Sequence, residues 1–360
     1  MASVINTDAL NLNAKENQDF ASFVHEQIFQ RPELRSLHKI FTGVKMDEQI
    51  VLAGSLGKTG LIGDSSCTRK QSGSSVVLSE KKWQPKGIED TLPQCNAALN
   101  GLFKAYFDKI TEYKKKYDIS GSDEETFLAL LLEESAMKTV YRAAWFADKA
   151  VAVADADSAG LIDDANIGFY NYFDGLFKQI FTGVGNGTIK RFTIPQNAAS
   201  TKVAQENLSA GDSVLIFEGV WKNADARLKS NAKAQFYVSE LIFENYRQYL
   251  QSKGENFSID YTQEGFQSLK WNGKSVVNMA TVWGLDAIED FTDNTTNNAY
   301  YLLNRVVLST PDNLPIATMN DNDFNEIESW YERKERVFYL SYGFSLDAKV
   351  IDEKLISVAY

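Results

Sequence analysis

SDEETFLALLLEESAMKTVYRAAWFADKAVAV, Ser122 to Val153, is the stretch around which the rest of the chain is organised. Ser122 stands three residues before Glu125, the spacing of a capping box. The serine oxygen takes a free backbone N–H and the glutamate reaches back to the cap. Leu128, Leu131, Leu132, Ala136, Val140, Ala143, Ala147 and Val151 then recur at helical spacing, with Glu133, Glu134, Lys138, Arg142 and Asp148 largely opposite. The stretch predicts one helix of about thirty residues, roughly 45 Å long, against the ~11 to 12 residues of an average helix. Such a helix either braces a flat, elongated body or forms the core of an ordinary α+β enzyme.

A chain of 360 residues is too large for one compact core and predicts two or three subdomains. At 44% hydrophobic and 24% charged it matches globular averages, and no apolar run reaches the length of a membrane span. The N-terminus shows no basic region followed by an apolar one, so no secretory signal is expected and synthesis is placed in the cytoplasm. A formal charge of −11 opposes attraction to phosphate backbones and argues against a dedicated nucleic-acid binder. The two cysteines, Cys67 and Cys95, read as free thiols.

Residues 1–46 read as an N-terminal arm. Phe20, Phe23, Val24 and Ile28 have helix-like spacing, interrupted at Pro32 before RPELRSLHKIF. A short amphipathic helix cannot bury itself, so it lies on the body or on a neighbouring subunit. Residues 47–95 are rich in glycine and serine, between β-rich runs at Gln49–Leu52 and Ser75–Leu78, the pattern of a long two-stranded excursion. A lone ribbon of this kind is marginal in water and needs something to lie upon. GSLGKT at Gly54–Thr59 has two residues between its glycines where a P-loop needs four, and no helix is expected after it.

Beyond Pro93 a helix is expected from Asn96 to about Tyr117, ending in Lys114, Lys115 and Lys116 as suits a helix C-terminus, before the long helix. GFYNYFDGLFKQIF reads as a short aromatic helix leading into a mobile loop or short hairpin at GVGNGTIKRF. A helix follows from about Ala210 to Leu228, then a strand at Gln235–Val238. Ser239 caps a third amphipathic helix, closed by Gly254. The remainder is β-rich: KSVVNMATVW, YYLLNRVVLST, and the paired runs ERVFYLSYGFSLDAKV and KLISVAY, with Val337–Phe344 alternating as a half-buried strand.

Catalytic patterns are thin. His25 and His38, both in the arm, are the only histidines, which leaves none for a triad or a His/Cys metal set elsewhere. Asp290, Asp293, Asp312, Asp321 and Asp323 could pair as acids or ligate a cation, but their spacing misses the EF-hand pattern, and turn-forming Asp and Asn account for them. Neither a catalytic residue, nor a metal ligand, nor a cofactor is expected.

The order of pieces, arm, glycine-rich excursion, long helix, mixed domain and terminal strands, resembles the major capsid protein of tailed bacteriophages, the Hong Kong 97-type fold, in versions from phages and prophages of Bacteroidetes. The resemblance is carried by SEKKWQPKGIEDTLPQC (Ser79–Cys95), similar to the return strand of the family's extended loop, and by the long helix, similar to its spine. It is also carried by YNYFDGLFKQI, by KNADARLKSNAKAQFYVSELIFENYRQYLQSKG (Lys222–Gly254), by LLNRVVLSTPDNLPIAT (Leu302–Thr318) and by the last strands. It implies an α+β fold with an N-terminal arm (1–46), an extended β-loop (47–95), a peripheral domain with the spine helix (96–165), an axial domain (166–318) and closing strands (319–360).

By implication the chain self-assembles as hexamers and pentamers into an icosahedral shell around double-stranded DNA, which it contacts without specificity, and resides in the virion after synthesis in the host bacterial cytoplasm. Partners implied are a separate scaffolding protein, a portal and decoration proteins; no membrane is involved. Lys58, Arg69, Lys70, Lys81, Lys82 and Lys86 make the excursion locally basic in an acidic protein, so it is expected to dock on an acidic surface of an adjacent subunit. Trp83 is either a buried anchor in that contact or a locally packed side chain. The alternatives are an encapsulin-like compartment shell, which would package enzymes, and a cytosolic hydrolase using the acids between Asp290 and Asp323.

Overall fold

The computed structural model describes residues 32–53, 78–95, 123–149, 168–199, 201–253, 260–261, 267–284, 302–319, 328–332 and 337–360. The first half of the chain supplies α1 (Pro32–Leu37), β1 (Ile40–Phe41), β2 (Gln49–Ala53), β3 (Leu78–Lys82), β4 (Lys86–Cys95), α2 (Asp123–Phe146) and α3 (Leu176–Gly185). Then come β5 (Lys190–Phe192), α4 (Lys202–Glu206), α5 (Asp212–Asn223), α6 (Ala226–Ser230), β6 (Gln235–Val238) and α7 (Glu240–Ser252). Last are β7 (Asp260–Tyr261), β8 (Gln267–Trp271), β9 (Lys274–Asn278), α8 (Ala280–Trp283), β10 (Val306–Ser309), β11 (Ile316–Ala317), β12 (Glu328–Glu332), β13 (Val337–Ala348) and β14 (Ser357–Ala359).

The long helix is present but ends earlier than its periodicity predicts, at Phe146 after 24 residues, about 36 Å. A tertiary contact ends it. The N–H of Asp148 donates to the Tyr170 carbonyl at 3.0 Å, and the Ala147 carbonyl accepts the Gly175 N–H at 2.7 Å. Two backbone groups needed for the next turn are thereby taken by the segment that enters α3. The contact is close enough that a Cβ on Gly175 would lie 2.8 Å from the Ala147 nitrogen.

Two sheets flank this junction. One has the order β5-β14-β10-β6-β9-β8-β7, parallel at β5–β14 and β6–β9 and antiparallel elsewhere. Its core joins Ile216, Phe217 and Val220 of α5 and Ile242, Phe243 and Tyr246 of α7 to Phe236, Val238, Val306 and Leu308 of the central strands. The other sheet is organised by β13, which pairs along Lys86–Cys95 on β4, with β12 through Glu328–Glu332, and with β11 at Ile316 and Ala317. Ala136, Val140, Ala143 and Ala144 of α2 share a core with Tyr342, Phe344 and Leu346 of this strand.

Several sequence expectations need correction. Pro32 starts a helix, a position where its missing N–H costs nothing. The described second run of the excursion is Leu78–Lys82; Ser79–Cys95 is two strands, because the chain turns out of the ribbon at Trp83–Pro85 and β4 joins β13. GVGNGTIKRF forms no hairpin: the helix runs through Gly185, and Lys190–Phe192 pairs in parallel with β14 across the chain. Ala210–Leu228 is two helices, split where the Asp225 side chain accepts the Arg227 N–H and caps α6. Ser239 precedes α7, but its oxygen is occupied by the Arg305 N–H.

ATVW after β9 is a helical turn, and KLISVAY pairs with β10 and β5 rather than with β13. From Tyr342 to Ala348 every residue of β13 is buried, so the alternation expected through Phe344 does not hold there. Ser345 on the second face is covered by Thr318 and Met319. Strands β1, β7, β8 and β12 carry no sequence signal recognised above, while β4 falls in the run read as a return strand. The expected helix at Asn96–Tyr117 lies outside the described residues.

Gly175→Ala is expected to destabilise the protein by about 1–3 kcal/mol, since the added methyl meets backbone that cannot move aside. Urea unfolding followed by circular dichroism reads it, and an unchanged midpoint would refute the close-contact account of where α2 ends.

Candidate inter-subunit surface at the ribbon base

β2 and β3 form a two-stranded antiparallel sheet in register from Gln49↔Lys82 to Ala53↔Leu78, and neither pairs with any other described strand. The ladder continues below the strands: Asp47 donates its N–H to the Trp83 carbonyl at 2.8 Å, and the Trp83 N–H returns to the Glu48 carbonyl at 3.0 Å. The base of the ribbon is thus firmly closed.

Trp83 stands at that base and is 4% exposed. It packs with Val44 and Ala317, against partly buried Phe41 and Ile50, and its ring lies 5.8 Å from that of Phe41. Trp83 is packed within its own chain. Lys81 likewise turns inward, donating to the Val350 carbonyl at 2.7 Å and pairing with Glu353 at 3.2 Å. Thr188 and Lys81 hold the Glu353 carboxyl below the usual carboxylate range. Lys82 and Lys86 are exposed. They alternate with exposed Asp47, Glu48, Glu80, Glu89 and Asp90, so the base carries both signs of charge. Lys58, Arg69 and Lys70 lie outside the described residues.

A residue that sequence reasoning missed completes the base. Asp347 is fully buried, and its carboxylate accepts the Gln84 N–H at 2.8 Å and the Ala348 N–H at 2.9 Å and pairs with Lys349 at 3.2 Å. Burial pushes its carboxyl up while Lys349 and the two N–H groups pull it down. It fastens the turn that leaves the ribbon to the end of β13, 263 residues away in sequence. The only sequence signal was a charge among the apolar residues of GFSLDAKV.

Elsewhere, Asp312 is exposed and pairs with Lys233 at 3.2 Å, while Asp290, Asp293, Asp321 and Asp323 lie outside the described residues. Among the described residues no cluster of three His, Cys, Asp or Glu could hold a metal, and no helix is long and apolar enough to cross a membrane.

No family model and no curated protein matches the chain. Solved structures do. A chain of the satellite phage P4 procapsid including size determination (Sid) protein is similar at a TM-score of 0.55 and 11% identity, over 95% of this chain and 89% of that one. The capsid of a native GTA particle follows at 0.47 and 11% identity, over 91% and 89%, and Gordonia phage Cozz at 0.46 and 12%, over 91% and 86%. The first of these carries the assignment: this mixed α+β chain has a phage capsid fold.

Trp83→Ala is expected to cost about 3–5 kcal/mol in unfolding free energy. Lys81→Ala, at a partly exposed ion pair, should cost under about 1 kcal/mol. Equal losses in a denaturant titration would show that Trp83 is not the packed anchor of the base.

Proposed function

We propose that the chain is the major capsid protein of a tailed double-stranded DNA bacteriophage, assembling with itself as hexamers and pentamers into an icosahedral shell that encloses the genome. The observation that carries this reading is the β2–β3 ribbon. It projects from a fixed base, and its strands pair with no other described strand, although a two-stranded sheet is marginal by itself in water. A neighbouring copy supplies the missing surface, and a contact between different patches of identical subunits closes into rings. In this reading the arm and the ribbon reach over neighbours, with Lys82 and Lys86 of the ribbon base and Lys58, Arg69 and Lys70 of its remainder touching the adjacent subunit. Trp83 serves the contact indirectly, by holding the base rigid.

The extended loop, spine helix, peripheral domain and axial domain of the tailed-phage fold are the proposed homes of 47–95, α2, 96–165 and 166–318. The capsid fold of the P4 procapsid chain supports this, as does the burial of α2 against β13. The proposed partners are a separate scaffolding protein, a portal and decoration proteins, with DNA contacted without specificity in the virion.

Deleting residues 54–74 should leave a folded protein that forms no shells when co-expressed with its scaffolding partner, while the full chain forms them under negative-stain electron microscopy. Normal shells from the deletion would show that the ribbon is dispensable. A full chain that stays monomeric under all assembly conditions would overturn the capsid reading.

A further inference from the structure

His38 is fully buried, and both of its ring nitrogens are engaged. Nδ1 lies 2.7 Å from the Leu314 carbonyl oxygen, and Nε2 lies 3.1 Å from Nε1 of Trp145. A carbonyl only accepts and an indole N–H only donates, so both bonds form in one state alone, the neutral imidazole with its proton on Nδ1. Adding a proton to Nε2 would set N–H against N–H. Trp145 cannot swing away, because its ring lies within 5.1 to 5.9 Å of those of Phe177, Tyr237 and Trp283.

We infer that His38 is an acid-released latch fastening the segment Pro32–Val44, which leads into the ribbon, to the body of the protein. β1 is two residues long and pairs with β11 alone among the described strands. The segment's other ties include the backbone bonds of Lys39 to the Pro311 carbonyl and of Val44 to the Thr318 carbonyl, the Tyr237 hydroxyl donating to the Leu37 carbonyl, Gln235 donating to Ser36, and the burial of Leu34, Leu37 and Val44. The charged and titratable groups around the ring disfavour a further positive charge. Arg35 and Lys39 of its own segment and Lys233 of the opposite wall line the same cavity, against one carboxylate, Asp312, which already pairs with Lys233. Tyr237 is neutral, its hydroxyl pushed up by burial.

Burial pushes the His38 imidazole down to about 4, with the Leu314 carbonyl acting in the opposite direction. The value is lower in the closed state than in an opened one near 6.5, so the closed segment binds fewer protons. The stabilisation is complete above about pH 6.5 and is lost as pH falls toward 4. Over that window the opening equilibrium rises up to about tenfold per pH unit, ~300-fold in all. The inference concerns the single chain and does not depend on whether it assembles.

Hydrogen exchange of peptides covering 32–44, corrected for intrinsic rates, tests the latch on the full chain between pH 7 and 4.5, wild type against His38→Gln. A glutamine amide can donate to Leu314 and accept from Trp145 but cannot titrate in this range. Wild-type protection should fall by up to about tenfold per pH unit below 6.5 while the variant's stays level. Parallel curves, or a flat wild-type curve, overturn the inference. Should His38→Gln fail to fold, ¹⁵N imidazole spectra of His25→Gln, whose one remaining histidine is His38, give an independent reading. A neutral Nδ1–H ring that titrates below pH 5 supports the latch, and an ordinary midpoint near 6.5 refutes it.

Discussion

The packing around Trp145 is the constraint on which the rest of the described structure depends. This side chain is wholly buried near the end of α2 and meets His38 from the N-terminal segment, Phe177 from α3, Tyr237 from the seven-stranded sheet and Trp283 from α8. Four pieces distant in sequence are therefore fixed by one indole. Large aromatic faces bury much area, and tilted pairs at these separations add to it. Arg305 closes the same region from the side. Its guanidinium lies 4.5 Å from the Phe177 ring centre and 5.5 Å from that of Phe146, and burial pushes it down to about 9, so it remains charged at neutral pH and is stabilised by ring faces.

Around this centre rings from distant parts of the chain pack together, whereas β2 and β3 pair only with each other among the described strands. Asp347, Trp83 and Lys81 all spend their contacts inside the chain, locking the base of β2–β3 against β13 and β11. The exposed charges at the base, Lys82 and Lys86 among Asp47, Glu48, Glu80, Glu89 and Asp90, are of both signs.

Much of the fold was legible in residue order. The start of the long helix at Asp123, the strand at Gln235–Val238, the helix after Ser239 and the long β13 were legible as elements, although the first ends at Phe146 and β13 is buried on both faces from Tyr342. The ribbon's strands were legible as β-rich runs flanked by glycine and serine, though the register lay a few residues away. What failed was local inference at capping and partner choice. Ser239 gives its oxygen to Arg305, the end of α2 is set by Tyr170 and Gly175, and the last strand joins β10 instead of its near neighbour β13. At the ribbon base, the buried carboxylate of Asp347 and the bond of Lys81 to the Val350 carbonyl were not foreseen.

The sequence by itself determined many of the helices and strands, the acidity of the chain, and the presence of a two-stranded ribbon, since these follow from spacing and composition within a dozen or so residues. Only the tertiary structure decided that Trp83 and Lys81 face inward, that Asp347 ties the ribbon to β13, and that His38 is held neutral beneath Trp145. Each of those depends on a partner more than one hundred residues away, and the direction of a side chain is set by the surface it finds there, which no local pattern encodes.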